Sequence, residues 1–556
     1  MKTIVCFYRR NFDLIFLCFG IIVMLSVLVA TFLALPNNLV ISDEGWYLCL
    51  LRDTPHIGAT RFHLLFHNVF KNNIYAIRLA CWLFQLVGSL VLSMGITLWL
   101  RRYCKNIKVY LLYLFVLCTL YFGQMHLTSC PSINYITMNK VFAELGIGLM
   151  LIGVDRRKMV YFVLSGFFIA FLFPTMITNV IIIPIMFVVL VLLSDNRRRD
   201  GWGFVIGVAL FFLYYFIAVE SPQEVYRFFS AESKKVVEKG SADYGWMFYV
   251  RWLFHTLFYY CRCLIVAVII FAISNRLKGF ALMTRKRNWL LTMFVVSVIV
   301  LLYSWMYLEP LPIVPFPYKD QGSILWYRDL YWIFVFLLVL SVIKTHDSIE
   351  KDKLLLGCLF LVAPICLCFG SNVLFPDRQR EYLLFVMPVL VFLTMKKSIV
   401  WKTVMMGVLM GGYIVFFSSL FGRNIAGDRF FGGHVSVKTI GIEQNVKLSQ
   451  GQLSKLVDCR NHVPKGRVLF GSWEWWMVAL LDYTPISYEY SVSRNSQEMI
   501  QQLIDEEIKN EGKVWAITNV WEESFVEKMD LIEGYEKKVD TVGDNLYYCF
   551  SRELLK

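Results

Sequence analysis

Leu14–Leu35 reads LIFLCFGIIVMLSVLVATFLAL, an unbroken apolar run without one charged side chain. At 1.5 Å of rise per residue such a run crosses the roughly 30 Å hydrocarbon core of a bilayer. In lipid, a single segment satisfies its own backbone amides only as a helix. The run is too long for the apolar part of a cleaved signal, and Leu35-Pro36 is a poor small-residue cleavage site, so it reads as a retained span. Blocks such as Ile181–Leu193 and Val404–Leu420 repeat the pattern between short charged stretches. The whole composition agrees: 58% of the 556 residues are hydrophobic and 17% charged, against about 45–50% and about 25% in soluble domains. Alternating ten-residue strands of a membrane barrel are absent. The expected fold class is therefore a polytopic α-helical membrane protein with a small C-terminal α/β domain.

Thirteen spans are expected, near 12–35, 75–99, 109–123, 140–154, 159–173, 177–194, 202–219, 249–274, 289–307, 330–343, 354–369, 383–395 and 403–421. The formal net charge of +14 matters less than its placement. Arg9-Arg10 precedes the first block, and Arg101-Arg102-Lys105-Lys108, Arg156-Arg157-Lys158, Arg197-Arg198-Arg199, Arg285-Lys286-Arg287, Lys351-Lys353 and Lys396-Lys397 fall in every second loop between the blocks. That is the positive-inside pattern, and it sets the N-terminus in the cytoplasm. The clusters are short and pinned to membrane edges, which excludes nucleic acid as a partner. An odd number of spans leaves the C-terminal domain outside, periplasmic or extracellular. The division expected is 1–421 for the membrane domain, with a first external loop over 36–74, and 422–556 for the soluble tail.

The tail changes character. Arg467–Phe470, Ile486–Tyr490, Lys513–Thr518 and Leu546–Ser551 read as strands, and Gln497–Asn510 and Glu522–Ile532 as helices. Gly471-Ser472-Trp473-Glu474-Trp475-Trp476 falls where a strand meets a helix, its tryptophans read as packing or interfacial anchors rather than a sugar-stacking platform. Most of the fourteen cysteines lie in apolar blocks and behave as small hydrophobes. Cys459 and Cys549 fall in the tail, where a pair and two free thiols are both open.

Chemistry concentrates in the first external loop. Ile41-Ser42-Asp43-Glu44-Gly45-Trp46-Tyr47 sets an acidic pair just past the first span. A carboxylate partly shielded from water can serve as a general base, and an Asp at a helix start can equally serve as a cap; both readings of Asp43 stand. Phe62, Leu65, Phe66, Val69 and Phe70 recur at helical spacing, which predicts an amphipathic helix on the interface. His63 and His67 stand at i, i+4, but no third ligand accompanies them, and interfacial histidines are the preferred reading. Ser132-Ile133-Asn134-Tyr135, Pro317-Tyr318-Lys319-Asp320 and Asp377-Arg378-Gln379-Arg380-Glu381-Tyr382 supply polar and cationic groups in other external loops. Arg78 opens the second span, where a charge must snorkel outward or pair with an anion.

These features resemble the GT-C superfamily of membrane glycosyltransferases. Within it the chain is most similar to protein O-mannosyltransferases and to the aminoarabinose transferase that modifies lipid A. The resemblance rests on Asp43-Glu44 after the first span, the juxtamembrane loop, Arg78, Phe171-Leu172-Phe173-Pro174-Thr175, and Arg380-Glu381-Tyr382-Leu383 followed by Pro388. It implies an inner-membrane enzyme that moves a sugar from a polyprenyl-phosphate-linked donor to a glycan, lipid or protein acceptor, with inversion, at the outer face. Asp43 with Glu44 would match the family's catalytic acids, Asp43 being the base. Arg78, Lys319, Arg378 and Arg380 would bind the phosphate, with Asn134, Tyr135 and His63 lining the substrate. Many relatives carry an acidic residue in the second external loop, where this chain reads Pro131-Ser132-Ile133-Asn134-Tyr135. The expectation is therefore no cofactor and no metal requirement, with a divalent ion left as the alternative. The competing functions are a transporter or flippase of lipid-linked glycans and a non-enzymatic envelope assembly protein.

Overall fold

The computed structural model describes residues 2–37, 43–55, 61–66, 69–70, 73–102, 108–124, 132–227, 257–269, 271–272, 351–368, 434–471, 474–488 and 496–552, with isolated positions at 230, 250, 254, 333, 336, 340 and 492. The expected spans at 289–307, 383–395 and 403–421, and the expected boundary at 421, lie outside these residues.

The bundle begins with α1 (Lys2–Ala34), the short α2 (Asp43–Asp53), α3 (Ile74–Leu100), α4 (Val109–Gln124) and α5 (Tyr135–Arg156). It continues with α6 (Met159–Ala170), α7 (Leu172–Thr175), α8 (Ile182–Leu193) and α9 (Arg197–Ala218). The first seven expected spans all coincide with these helices. Among the described residues, four stretches are long and apolar enough to cross a membrane: Asn11–Ala34, Ile74–Leu100, Tyr135–Arg156 and Arg197–Ala218. Val109–Cys118, Met159–Thr175, Thr178–Leu193 and Leu257–Ile269 are shorter apolar helices. The chain is thus a helical, membrane-embedded protein.

Small residues set the helix spacing. A Cβ on Gly95 of α3 would lie 2.5 Å from Gly148 O of α5, and one on Gly207 of α9 would lie 1.9 Å from Val163 O of α6. Neither position accepts a side chain, because what it would meet is backbone, so these helices touch through their main chains as small-residue stripes allow in membranes. The outward faces carry Leu14, Ile22, Val29, Leu213 and Ile217, all exposed in the protein alone and suited to lipid.

Charge polarises the bundle. Arg101 and Arg102 both reach Asp155, Arg157 pairs with Asp195, Arg199 with Asp200, and Lys108 with Asp13. All of these sit at the end opposite the α1–α2 junction.

The tail is a three-layer α/β unit. A two-stranded antiparallel pairing of β1 (Val435–Ser436) with β2 (Lys447–Leu448) precedes the main sheet. The main sheet is built from β3 (Arg467–Phe470), β4 (Thr484–Pro485), β5 (Lys513–Asn519), β6 (Glu536–Val542) and β7 (Asn545–Ser551), in the order β4-β3-β5-β7-β6. Strands β4, β3 and β5 are parallel, β7 runs antiparallel to β5, and β6 runs antiparallel to β7 at the far edge. From β3 the chain steps to β4 on one side and then to β5 on the other. Right-handed crossovers therefore place the intervening helices on opposite faces. Side chains alternate accordingly. Val468, Phe470, Ile517 and Tyr547 pack with Leu456, Cys459 and Trp475, while Leu469, Val514, Ala516 and Tyr548 pack with Ile500, Ile504, Ile508 and Phe525.

Local signals explain the helices of the tail. Ser449 and Gln452 form a capping box at the start of Gln450–His462, and Ser496 caps Gln497–Glu511. Two elements differ from expectation. Of the strand expected at 486–490, the described residues 486–488 are not in a strand: β4 is only Thr484–Pro485, and Tyr488 is engaged with α2 instead. Strand β6, which reads EKKVDTV, has no alternating apolar signal, since it is a charged sheet edge. Cys459 and Cys549 are both free thiols.

Candidate functional site

The site is built where α1 ends. The last carbonyls of a helix have no intrahelical donors, and here a cation from another helix meets them. Arg78 Nη1 donates to Leu35 O at 2.6 Å and to Asn37 O at 3.4 Å. The rest of the guanidinium forms a fork onto Glu44: Nε to Oε1 at 2.7 Å and Nη2 to Oε2 at 2.8 Å. Both side chains are buried, with 1% and 0% of their surface exposed. Such planar bidentate pairing is what arginine, unlike lysine, provides.

A third element closes on the pair. Ser132 Oγ donates to Glu44 Oε1. Two residues on, Asn134 caps α5: its Oδ1 accepts from Thr137 N at 2.9 Å, and its Nδ2 donates to Ser132 O at 2.9 Å. Asn134 thus holds the turn that delivers Ser132 to the carboxylate. The Tyr47 ring stands 6.1 Å from that of Tyr135 and 6.0 Å from that of Phe62, and Phe62 stacks edge-on against His63.

The expected residues Glu44, Arg78, Asn134, Tyr135 and His63 therefore lie in one neighbourhood. Asp43 is the first residue of α2, and its side chain is outside the described set. Lys319, Arg378, Arg380 and His67 also lie outside the described residues. The expected amphipathic surface helix is instead a 3-10 turn, Phe62–Phe66, with Phe62, His63 and Leu64 buried. Backbone contacts explain the difference. Arg61 N donates to Pro174 O at 2.7 Å, the Arg61 side chain pairs with buried Glu220, and His63 Nε2 donates to Pro55 O at 2.7 Å. The segment is drawn under the loop rather than laid on its surface.

Two charged residues were not anticipated. Lys140 and Glu144 of α5 are 3% and 2% exposed, inside an apolar helix. Cys81 of α3 lies within electrostatic range of Glu44, Arg78 and Lys140. Glu144 Oε2 packs on the Cα face of Gly88, where a Cβ would come within 2.6 Å of it. At 1.5 Å per residue, Gly88 is roughly 15 Å further along α3 than Arg78. A polar seam between α3 and α5 thus descends from the Glu44–Arg78 pair into the bundle. The i, i+4 spacing of Lys140 and Glu144 was the available signal, but beginning the span at 140 put Lys140 at its edge. The helix starts at Tyr135, so Lys140 is more than a turn inside.

Among the described residues no group of three or more His, Cys, Asp or Glu is placed to hold a metal ion. No protein-family model matches the chain, and no curated protein matches it.

Proposed function

We propose that the chain is a multi-pass membrane glycosyltransferase of the GT-C type, using a polyprenyl-phosphate-linked sugar as donor. The observation that carries this reading is the buried Glu44–Arg78 pair. It fixes the first turn of α2 at the mouth of the bundle, and Asp43 is the residue immediately before Glu44. In this reading Asp43 takes the proton of an acceptor hydroxyl as that oxygen attacks the anomeric carbon. The bond from that carbon to the donor phosphate breaks, its electrons leave with the phosphate, and the configuration inverts. Glu44 positions rather than reacts, because both of its oxygens already accept from Arg78. Arg78 correspondingly serves Glu44 and the end of α1, so phosphate binding falls to Lys319, Arg378 and Arg380. The basic end of the bundle supports an inside assignment for that end and an outside one for the α1–α2 junction and the tail. Thirteen spans and a bacterial cytoplasmic membrane complete the proposal.

A second reading, a transporter or flippase of lipid-linked glycans, is favoured by one observation, the buried Lys140 and Glu144. Intramembrane charges commonly mark substrate or ion paths. Purified protein reconstituted with a panel of polyprenyl-phosphate sugars separates the two. The enzyme reading expects donor consumption and phosphate release. Movement of intact donor between leaflets without consumption supports the transporter. Chelation is expected to leave transfer undiminished, because the second external loop offers Asn134 rather than a carboxylate; loss restored by an added divalent ion would overturn that point.

A further inference from the structure

We infer that the C-terminal α/β unit is a positioning element of this site, with Gly45 and Trp46 seating the acidic helix α2 directly on it. The inference rests on the reading of α2 as carrier of the reacting carboxylate, but the seat itself is a matter of geometry. A Cβ on residue 45 would lie 2.2 Å from Trp476 N and 2.3 Å from Trp475 C. Both are backbone atoms of a helix whose tryptophans are 0% and 3% exposed, so neither can yield as a flexible side chain would. Only glycine lets α2 approach this closely.

The next residue fixes the orientation, since Trp46 Nε1 donates to Tyr488 O at 3.0 Å. The far end of α2 is held as well. Arg52 Nη2 donates to Tyr483 O at 2.6 Å, and Tyr488 OH donates to Asp53 Oδ2 at 2.7 Å. The tail reaches the two neighbouring helix ends too. Lys447 N donates to Pro36 O at 2.7 Å just past α1, and Gln444 Oε1 accepts from Ile74 N at 3.3 Å at the start of α3. Glu44 and Arg78 stand on two of these three helix ends, and Arg78 caps the third. The hydrophobic core is continuous across the seam, with Tyr47, Leu48, Trp475, Trp476 and Phe470 in one cluster with the bundle. The tail is a wall of the site, not a tethered appendage.

Cys49 reports on the seat. It is fully buried, within electrostatic reach of Asp482, and burial pushes its thiol up to about 12. The test uses the full chain in detergent. Maleimide labelling of Cys49 near pH 7.5, where such a thiol stays protonated and protected, is read by peptide mass with Cys49→Ser as the blank. Sugar transfer from a polyprenyl-phosphate donor is measured on the same samples, for wild type, Gly45→Leu and Tyr488→Phe. Wild-type Cys49 should resist labelling. In Gly45→Leu it should label about tenfold faster or more, while kcat falls about tenfold or more and KM stays within about twofold, the signature of a displaced reacting group. Tyr488→Phe, which removes only a hydroxyl, keeps the test open where the leucine variant does not fold, and should move both readouts the same way by a smaller factor. Protected Cys49 in the folded variants, or faster labelling with kcat unchanged, overturns the inference. A wild type that transfers no sugar counts against the enzyme reading alone, since the labelling still decides whether the tail seats α2.

Discussion

Glu44 and Arg78 show why a buried ion pair is a fixture rather than a reserve of stability. Their mutual attraction roughly offsets the loss of water, but removing one partner strands the other in a site with no solvent. Glu44→Gln is therefore expected to cost about 3–5 kcal/mol, read as a lowered melting temperature, with Arg78→Lys milder because the charge survives and the fork does not. Part of this was legible in the sequence. Arg78 at the mouth of an apolar span had either to snorkel outward or to meet an anion, and the resemblance assigned it the donor phosphate rather than Glu44. What was not legible is that the two serve each other, since a pattern of residue types says which charges need partners but not which partners meet. Lys140 and Glu144 stayed hidden because two charges in an apolar stretch do not reveal whether they face lipid or a neighbouring helix. Cys459, buried beneath the sheet beside Tyr483, makes a pH prediction. Burial pushes its thiol up to about 12, and raises the Tyr483 hydroxyl as well. A folded pKa above the unfolded value gives stability that is complete below the unfolded value of about 8.5 and is lost as pH rises towards 12, at up to about 1.4 kcal/mol per pH unit. Melting temperature should thus fall above about pH 9, and fall less steeply in Cys459→Ala.

Helices and strands were read best where one physical rule dominated. The apolar blocks gave α1, α3 to α6, α8 and α9 because lipid leaves the backbone no alternative. Arg467–Phe470 and Lys513–Thr518 were legible because central parallel strands are apolar on both faces. Reading failed where tertiary contacts set local structure: Phe62–Phe66 has helical apolar spacing but is pulled into a buried 3-10 turn, and β6 is defined only by its partner β7. The glycines give the element-scale prediction. Gly207→Val drives a side chain into Val163 O, and Gly148→Val drives one onto the Leu92 backbone 2.8 Å away. Each should destabilise its helix pair by about 1–3 kcal/mol or more, seen as earlier thermal aggregation in detergent, whereas Gly451→Ala, with open space around it, should be silent.

Across the whole molecule, two ends with different chemistry face away from each other. One end carries solvated arginines in loose pairs of the kind worth little individually. The other buries its charges, closes them with Ser132 and Asn134, and is covered by the tail. This polarity predicts the topology. Trypsin added to sealed right-side-out vesicles should cut the tail and spare the 101–108 and 195–199 loops, and inverted vesicles should show the reverse. The proposed chemistry lives at the covered end, and one comparison bears on it most directly: donor turnover by purified wild type against Asp43→Asn, with a panel of polyprenyl-phosphate sugars and melting temperature as the control. The glycosyltransferase reading predicts turnover by the wild type and a loss of about 10²–10⁴-fold in an equally stable variant. A variant that keeps pace with an active wild type would contradict it, leaving Asp43 only the first residue of a helix.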